Sequence, residues 1–330
     1  MTKRSAMNNV MKKGLCVFGI ILLVTGLASI SVCQQTGAGR IADYVTEDEK
    51  SIGGYAPPLQ WYIEKIEADA SWEATGGGVN VVVAVLDTGI DAQHEDLAGR
   101  VIKGVNFTTS RTTADINGHG TLIAGIITAS MENLKGATGI AYRSSLLNVK
   151  VAGDDGFVNP EAVAKGIVWA VDNGAQVINL SLTLSKPHPQ VEEAVRYAWE
   201  KGAVIVAAAG NTAGNRPAYP AAFPNVIGVA ATDRDDKMTR WTSRGDWAGV
   251  SAPGVDIYST LPSDKYAYKN GTSYSAALVS GEAALLFAVA TDRNQNGAVN
   301  DDIRNAIIDN TDTASRINVF KATKQLTAGK

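Results

Sequence analysis

Apolar residues in this chain follow two rhythms, and their alternation predicts its architecture. VNVVVAVL (79–86), SLLNVKV (145–151), AQVINLSL (175–182), AVIVAAA (203–209) and NVIGVAA (225–231) are near-continuous apolar runs rich in β-branched residues. Such runs suit strands buried on both faces, because a strand with one wet face alternates apolar with polar positions. Between them, PEAVAKGIVWAVDNG (160–174) places apolar residues at 163, 167, 168 and 171, opens on Pro160 and stops at Gly174. PQVEEAVRYAWEKG (189–202) repeats this logic with Gly202 at its end. Proline fits the first helical position, where its missing N–H costs nothing, and glycine accepts the backbone that ends a helix. Strands alternating with helices predict an α/β fold: a mainly parallel twisted sheet with helices on both faces, forming a single domain over 58–330. Ligands of such sheets bind beyond the carboxyl ends of the strands.

The amino-terminal part breaks this pattern. Lys3, Arg4, Lys12 and Lys13 precede an uncharged apolar stretch from Leu15 to Val32, so residues 1–33 read as an export signal or a membrane anchor. Either reading places the domain outside the cytoplasm, secreted or held on the outer face of the membrane. Residues 34–57 are polar and then carry glycine and proline (SIGGYAPP), as a short leader or linker does. Cys16 and Cys33 are the chain's two cysteines, so the domain that follows contains no disulfide and relies on its core or on metal ions. Cys33 reads either as a lipid attachment point or as a residue discarded with a signal.

With 330 residues, 45% of them hydrophobic, the chain has the composition of a globular protein. A net charge of -3 and scattered basic residues leave no footprint for nucleic acid. A monomer is expected.

The candidate chemistry lies where strands end and helices begin. The chain has three histidines, of which His119 lies in NGHGTLIAGII at the start of an apolar helix, surrounded by small residues that leave its ring approachable. His188 sits between prolines and His94 in a polar turn, so both read as surface residues. Asp87 follows directly on a strand and precedes TGID, a position suited to orienting an imidazole and equally to capping a turn. Asn211 ends AAAGN after another strand, where its amide suits an oxyanion or a plain turn. Ser273 in NGTSYSAALVSG opens a helix, as a cap or as a nucleophile beside backbone N–H groups. The nucleophile reading requires a base and its orienting carboxylate to converge on it. Ser275 and Ser280 read as small packing residues.

LDTGID, NGHGT, AAAGN and NGTSYSA, in that order, resemble the subtilisin family of serine proteases, and within it the thermitase-like members. The likeness runs from about Trp61 to Gln325 and includes HEDLAGRV, AYPAAFPNVIGVAATD and SAPGVDIYSTLP. It implies a serine endopeptidase acting on extended protein or peptide substrates, with Ser273 as nucleophile, His119 as proton carrier, Asp87 as its orienter, and Asn211 at the oxyanion. Ser181, Leu182 and Thr183 would pair with the peptide, and Ala208, Ala209 and Gly210 would form the opposite pocket wall. The family commonly carries a prodomain that assists folding, which residues 34–57 are too few to form. The chain departs from the pattern at Ala277 and Leu278, where proline and histidine are usual, at Leu122 in place of histidine, and at Thr183 and Leu184 in place of two glycines. Ala277 is expected to relax the helix start, and Thr183 with Leu184 to narrow the groove.

The resemblance also implies structural calcium at Asp96, in a site whose amino-terminal partner is shortened, and it implies no organic cofactor. Asp292, Asn294 and Asn296 in DRNQNGAVNDD occupy EF-hand-like positions, but Ile303 stands where the closing carboxylate belongs, so the stretch reads more naturally as a polar turn. Two rival readings follow from the same residues. LDTG is also the signature of aspartic proteases, which need a second such aspartate, and the chain has one DTG. The other rival is a catalytically silent peptide-binding module that keeps the fold.

Overall fold

The computed structural model describes residues 39–41, 60–133 and 136–328. The export segment and both cysteines expected above lie outside the described residues. Among the described residues, no helix is long and apolar enough to cross a membrane.

The strands are β1 (Gly39–Ile41), β2 (Val82–Asp87), β3 (Val101–Asn106), β4 (Ser145–Lys150), β5 (Phe157–Val158), β6 (Val177–Leu180), β7 (Leu182–Thr183), β8 (Val204–Ala208), β9 (Val226–Thr232), β10 (Val250–Pro253), β11 (Ile257–Leu261) and β12 (Lys265–Lys269). The helices are α1 (Trp61–Lys65), α2 (Trp72–Thr75), α3 (His119–Thr128), α4 (Pro160–Asp172), α5 (Pro189–Glu200), α6 (Thr272–Phe287), α7 (Asn300–Asp309) and α8 (Val319–Thr327). Seven strands form one sheet in the order β10-β9-β8-β6-β2-β4-β3, and every neighbouring pair is parallel. The chain leaves β2 for β3 and β4 on one side, then crosses to β6 on the other, so the direction of winding reverses beside β2. That reversal opens a crevice at the carboxyl ends of the strands, where Asp87 closes β2.

All five expected core strands are present. β3 and β10 were not legible as apolar runs: β3 is an edge strand carrying Lys103 and Gly104, and β10 is only four residues long. Edge strands keep polar side chains because one side faces solvent. Along β2, Val83 and Val85 enter the core on one face while Ala84 and Leu86 enter the other, which is why the run is apolar throughout. α3, α6 and α8 cover the first face, and α4 and α5 cover the second. α4 begins as expected, with Pro160 in the first turn and the Asn159 side chain accepting from the Glu161 N–H. It ends at Gly174, whose φ of 87° suits glycine.

α6 is buried along its whole length from Thr272 to Leu286, packed among β6, β8, β9, β10 and α3. A helix enclosed on all sides carries no solvent-facing polar stripe, which explains its predominantly small and apolar sequence, with Glu282 as its one charged residue. Ala277 and Leu278 are fully buried in the first core cluster, and the helix runs unbroken through them.

Candidate active site

Asp87 ends β2, His119 opens α3, Ser273 stands in the first turn of α6 and Asn211 lies just beyond β8; Asp87 meets His119, and Asn211 meets Thr272, the residue before Ser273. Asp87 is fully buried, and its Oδ1 lies 2.8 Å from His119 Nδ1. The same oxygen accepts from the Thr88 N–H at 2.7 Å. A carboxylate at Nδ1 fixes the imidazole tautomer so that Nε2 carries the lone pair. The ring of Tyr274, the residue after Ser273, lies 5.9 Å from the His119 ring, which places the start of α6 beside the histidine.

α3 can approach the β2 turn this closely because of Gly120, where a Cβ would lie 2.1 Å from the Gly89 carbonyl oxygen. Asp115 anchors the same helix start. Its Oδ1 accepts from the Gly118 N–H at 2.8 Å and the Thr88 hydroxyl at 2.8 Å, and its Oδ2 accepts from the Thr121 N–H at 2.8 Å. One buried carboxylate thus satisfies helix-end N–H groups and ties α3 to the residue after Asp87. Sequence reasoning passed over Asp115, although a carboxylate four residues ahead of His119, just before a helix, is a capping signal. Below it, the buried Lys150 ammonium bonds to Asp154 at 2.8 Å and to the Thr88 carbonyl. That contact holds the Asp154 carboxyl below its usual range.

Asn211 presents its amide in a defined direction. Its Oδ1 accepts from the Thr272 N–H at 3.0 Å and the Thr272 hydroxyl at 2.9 Å, which turns the NH2 end toward Gly271. A Cβ on Gly271 would lie 3.4 Å from Asn211 Nδ2. Ser273 stands in the first turn of α6, where backbone N–H groups have no helical partner.

Ser181 grips Ser273 at two points: the Ser181 hydroxyl donates to the Ser273 carbonyl at 2.8 Å, and the Ser273 hydroxyl donates to the Ser181 carbonyl at 3.3 Å. Behind it, Asn179 Nδ2 donates to Ser181 Oγ at 3.0 Å, and the Ser280 hydroxyl donates to Asn179 Oδ1 at 2.9 Å. Ser280 is therefore a hydrogen-bonding residue, not merely the packing residue its sequence context suggested. Ser275 likewise donates to the Ala252 and Pro253 carbonyls, both at 3.0 Å. Leu182 and Thr183 form β7, while Ala208 ends β8 and leads into Ala209 and Gly210. A Cβ on Gly210 would lie 3.6 Å from Thr183 Cγ2, so the two expected walls face each other.

Other expectations are corrected. His94 is fully buried, not a surface residue. Its Nε2 meets the Lys265 carbonyl at 3.1 Å and its Nδ1 accepts from the Asp96 N–H at 3.1 Å, beneath the β11–β12 hairpin. With both ring nitrogens engaged by backbone groups, His94 fastens the hairpin to this turn, a structural role. His188 is half-buried at the cap position of α5. Leu122 packs in the first core cluster.

The metal expectations were tested on the donors present. Asp96 is fully buried, with Oδ1 accepting from Asn133 Nδ2 at 2.6 Å and Oδ2 from the Ala137 N–H at 2.8 Å. The Tyr266 hydroxyl also bonds to it. Calcium takes six to eight oxygens. Those oxygens can include backbone and asparagine carbonyls as well as carboxylates, and Asp96 is the buried carboxylate this stretch offers; among the described residues no group of three His, Cys, Asp or Glu side chains gathers around it. Asp292, Asn294 and Asn296 form the polar turn before α7, where Asp292 accepts from the Asn296 and Gly297 N–H groups and both asparagine amides donate to Asp301.

The model of the subtilase family matches residues 78–326. The chain is 40% identical over 262 residues to the thermophilic serine proteinase of Bacillus sp. (strain AK1), covering 79% of this chain and 64% of that protein. It is 39% identical over 279 residues to thermitase of Thermoactinomyces vulgaris, covering 81% and 97%, and 39% identical over 232 residues to subtilisin BL of Lederbergia lenta, covering 70% and 85%. It thus spans under two thirds of the first relative and nearly all of the second. The chain belongs to the subtilase family of serine endopeptidases.

Proposed function

We propose that this chain hydrolyses peptide bonds with Ser273 as nucleophile, His119 as general base and then acid, and Asp87 as the orienting carboxylate. The observation that carries the reading is the buried 2.8 Å contact between Asp87 and His119 Nδ1 beside the start of α6. With Nδ1–H committed to Asp87, Nε2 takes the proton from the Ser273 hydroxyl as Oγ attacks the scissile carbonyl, and returns it to the departing amine. Asp87 stabilises the imidazolium that forms in between. Asn211 Nδ2 and the Ser273 N–H donate to the oxyanion, with the Asn211 amide already held by Thr272. Water then repeats the sequence on the acyl-enzyme.

The substrate in this reading is an extended peptide that adds a strand along Ser181, Leu182 and Thr183, with Ala208, Ala209 and Gly210 on the far side. Main-chain pairing demands an unfolded segment, so folded proteins are cut at exposed loops or after unfolding. The basic residues and apolar stretch of residues 1–33 support action outside the cytoplasm, with the domain proper in 58–330 and 34–57 as its leader.

A serine-directed phosphonate tests the chemistry. The full chain is expected to acquire one label on Ser273, and a Ser273→Ala chain none, by mass spectrometry of the intact protein. A folded chain that takes no label on Ser273 sinks the hydrolase reading and leaves a silent peptide-binding module.

A further inference from the structure

β1 lies apart from the main sheet. Gly39–Ile41 is the middle strand of a second, three-stranded antiparallel sheet between β5 and β7. Arg40 stands opposite Phe157 on one side and Thr183 on the other, and Ile41 stands opposite Leu182. Leu182 and Thr183 are the residues proposed above to pair with substrate, directly after Ser181, whose carbonyl meets the Ser273 hydroxyl. A stretch of the chain's own leader thus lies along the proposed peptide groove and shows what the groove accepts.

Successive side chains of a strand point to opposite sides. Arg40 is exposed, while Gly39 and Ile41 are buried, so the groove reads positions 39 and 41 and ignores the residue between. At Gly39 a Cβ would lie 2.3 Å from the Thr183 carbonyl oxygen and 2.5 Å from Leu184 Cδ2. The oxygen is backbone and cannot swing aside. The Leu184 backbone is fixed as well, since its N–H donates to the Tyr219 carbonyl at 2.6 Å and its carbonyl accepts from the Tyr219 N–H at 3.0 Å. Thr183 and Leu184 replace the glycine pair usual in the family, so the narrowing is a property of this chain. Ile41 finds the opposite environment: its side chain is only 6% exposed within the second core cluster, and its N–H donates to the Gly156 carbonyl at 3.2 Å. A branched apolar side chain fills that place.

We infer that the groove between β5 and β7 selects extended peptides by the pattern glycine, any residue, branched apolar residue, and that Gly39–Ile41 of the leader is its resident occupant. This names the substrate class of the site and rests on the peptide-groove reading above. The tethered strand competes with free substrate, because two strands cannot pair with the same edge of β7.

The test separates binding from turnover by using the full chain with Ser273→Ala. Fluorescein-labelled Gly-Arg-Ile-Ala-Asp-Tyr, the sequence of residues 39–44, is titrated and read by anisotropy. Adding Gly39→Leu unseats the tethered strand, so the hexapeptide is expected to bind at least about tenfold more tightly than to Ser273→Ala alone. On that double variant, replacing the glycine of the peptide by leucine, or its isoleucine by serine, weakens binding by roughly the same factor, and replacing its arginine by alanine changes little. Equal binding of all four peptides, or a Gly39→Leu change that leaves affinity untouched, overturns the inference. The phosphonate experiment keeps the two readings apart. Label on Ser273 without peptide discrimination removes the pattern and leaves the hydrolase, whereas discrimination without label keeps the pattern and removes the hydrolase.

Discussion

Asn211 follows a glycine just beyond β8, a position that suits a plain turn as well as an oxyanion donor. What separates the two roles is the destination of its amide oxygen, which Thr272 holds through both its N–H and its hydroxyl. An amide held at one end presents the other in a fixed direction, so stabilisation of a developing oxyanion needs no reorientation at the moment of reaction. Asn211→Ala is therefore expected to lower kcat by about 100- to 1,000-fold with KM little changed, a scale taken from subtilisin itself rather than derived from this structure. Steady-state kinetics on a peptide ester and a peptide amide check it, and a loss confined to KM would place Asn211 in binding instead. His94 makes the converse point. Its polar neighbours in sequence suggested solvent, but the β11–β12 hairpin, distant along the chain, covers it and takes its Nε2 at the Lys265 carbonyl.

The element that matters most is α6, which begins at the proposed nucleophile and ends deep in the core. Ser280 lies two turns along it from Ser273, and through Asn179 and Ser181 it reaches back to the Ser273 carbonyl. All four residues are buried, so each bond in the chain constrains the next in the absence of competing water. Removing one neutral hydrogen bond costs about 0.5–1.5 kcal/mol. Ser280→Ala is thus expected to reduce kcat and the rate of phosphonate labelling by roughly two- to tenfold while KM holds. A variant that loses thermal stability but labels at the parent rate would show that Ser280 only packs. The mainly apolar character of α6 was legible in the sequence, because a helix enclosed on every side has no solvent-facing side to keep polar. The hydrogen bond from Ser280 was not, because it closes on β6, 101 residues away.

For the whole molecule, Glu282 is the buried carboxyl group at odds with its apolar surroundings. It is fully buried in α6, and neither carboxyl oxygen has a hydrogen-bond partner among the described residues. Burial raises its pKa well above the ordinary 4.5, since an unpaired carboxylate cannot be solvated there. In the unfolded chain the group ionises near its ordinary value, whereas in the folded chain it keeps its proton. The folded state then binds more protons than the unfolded one, and stability falls as pH rises above about 4.5 toward the folded pKa. Glu282→Gln keeps the shape and removes the titration. Its stability relative to the parent is expected to climb with pH by up to about 1.4 kcal/mol per unit inside that window. Urea unfolding from pH 4 to pH 8 checks this, and parallel curves for the two proteins would refute it.

The sequence by itself determined the class of fold and the four residues around which a site could form. Continuous apolar strands, proline at helix starts and glycine at helix ends are local consequences of burial and backbone geometry, and they survive in the order of residues. The resemblance then supplied roles for Asp87, His119, Asn211 and Ser273. Tertiary structure decided what depends on contacts between distant segments: the carboxylate of Asp115 beneath α3, the relay from Ser280, the burial of His94, and the donors that already surround Asp96. It also decided that Gly39–Ile41, which reads as part of a plain leader, pairs with β5 and β7. Strand pairing joins segments far apart in the chain, so three residues read without their partners do not show which edge they will meet.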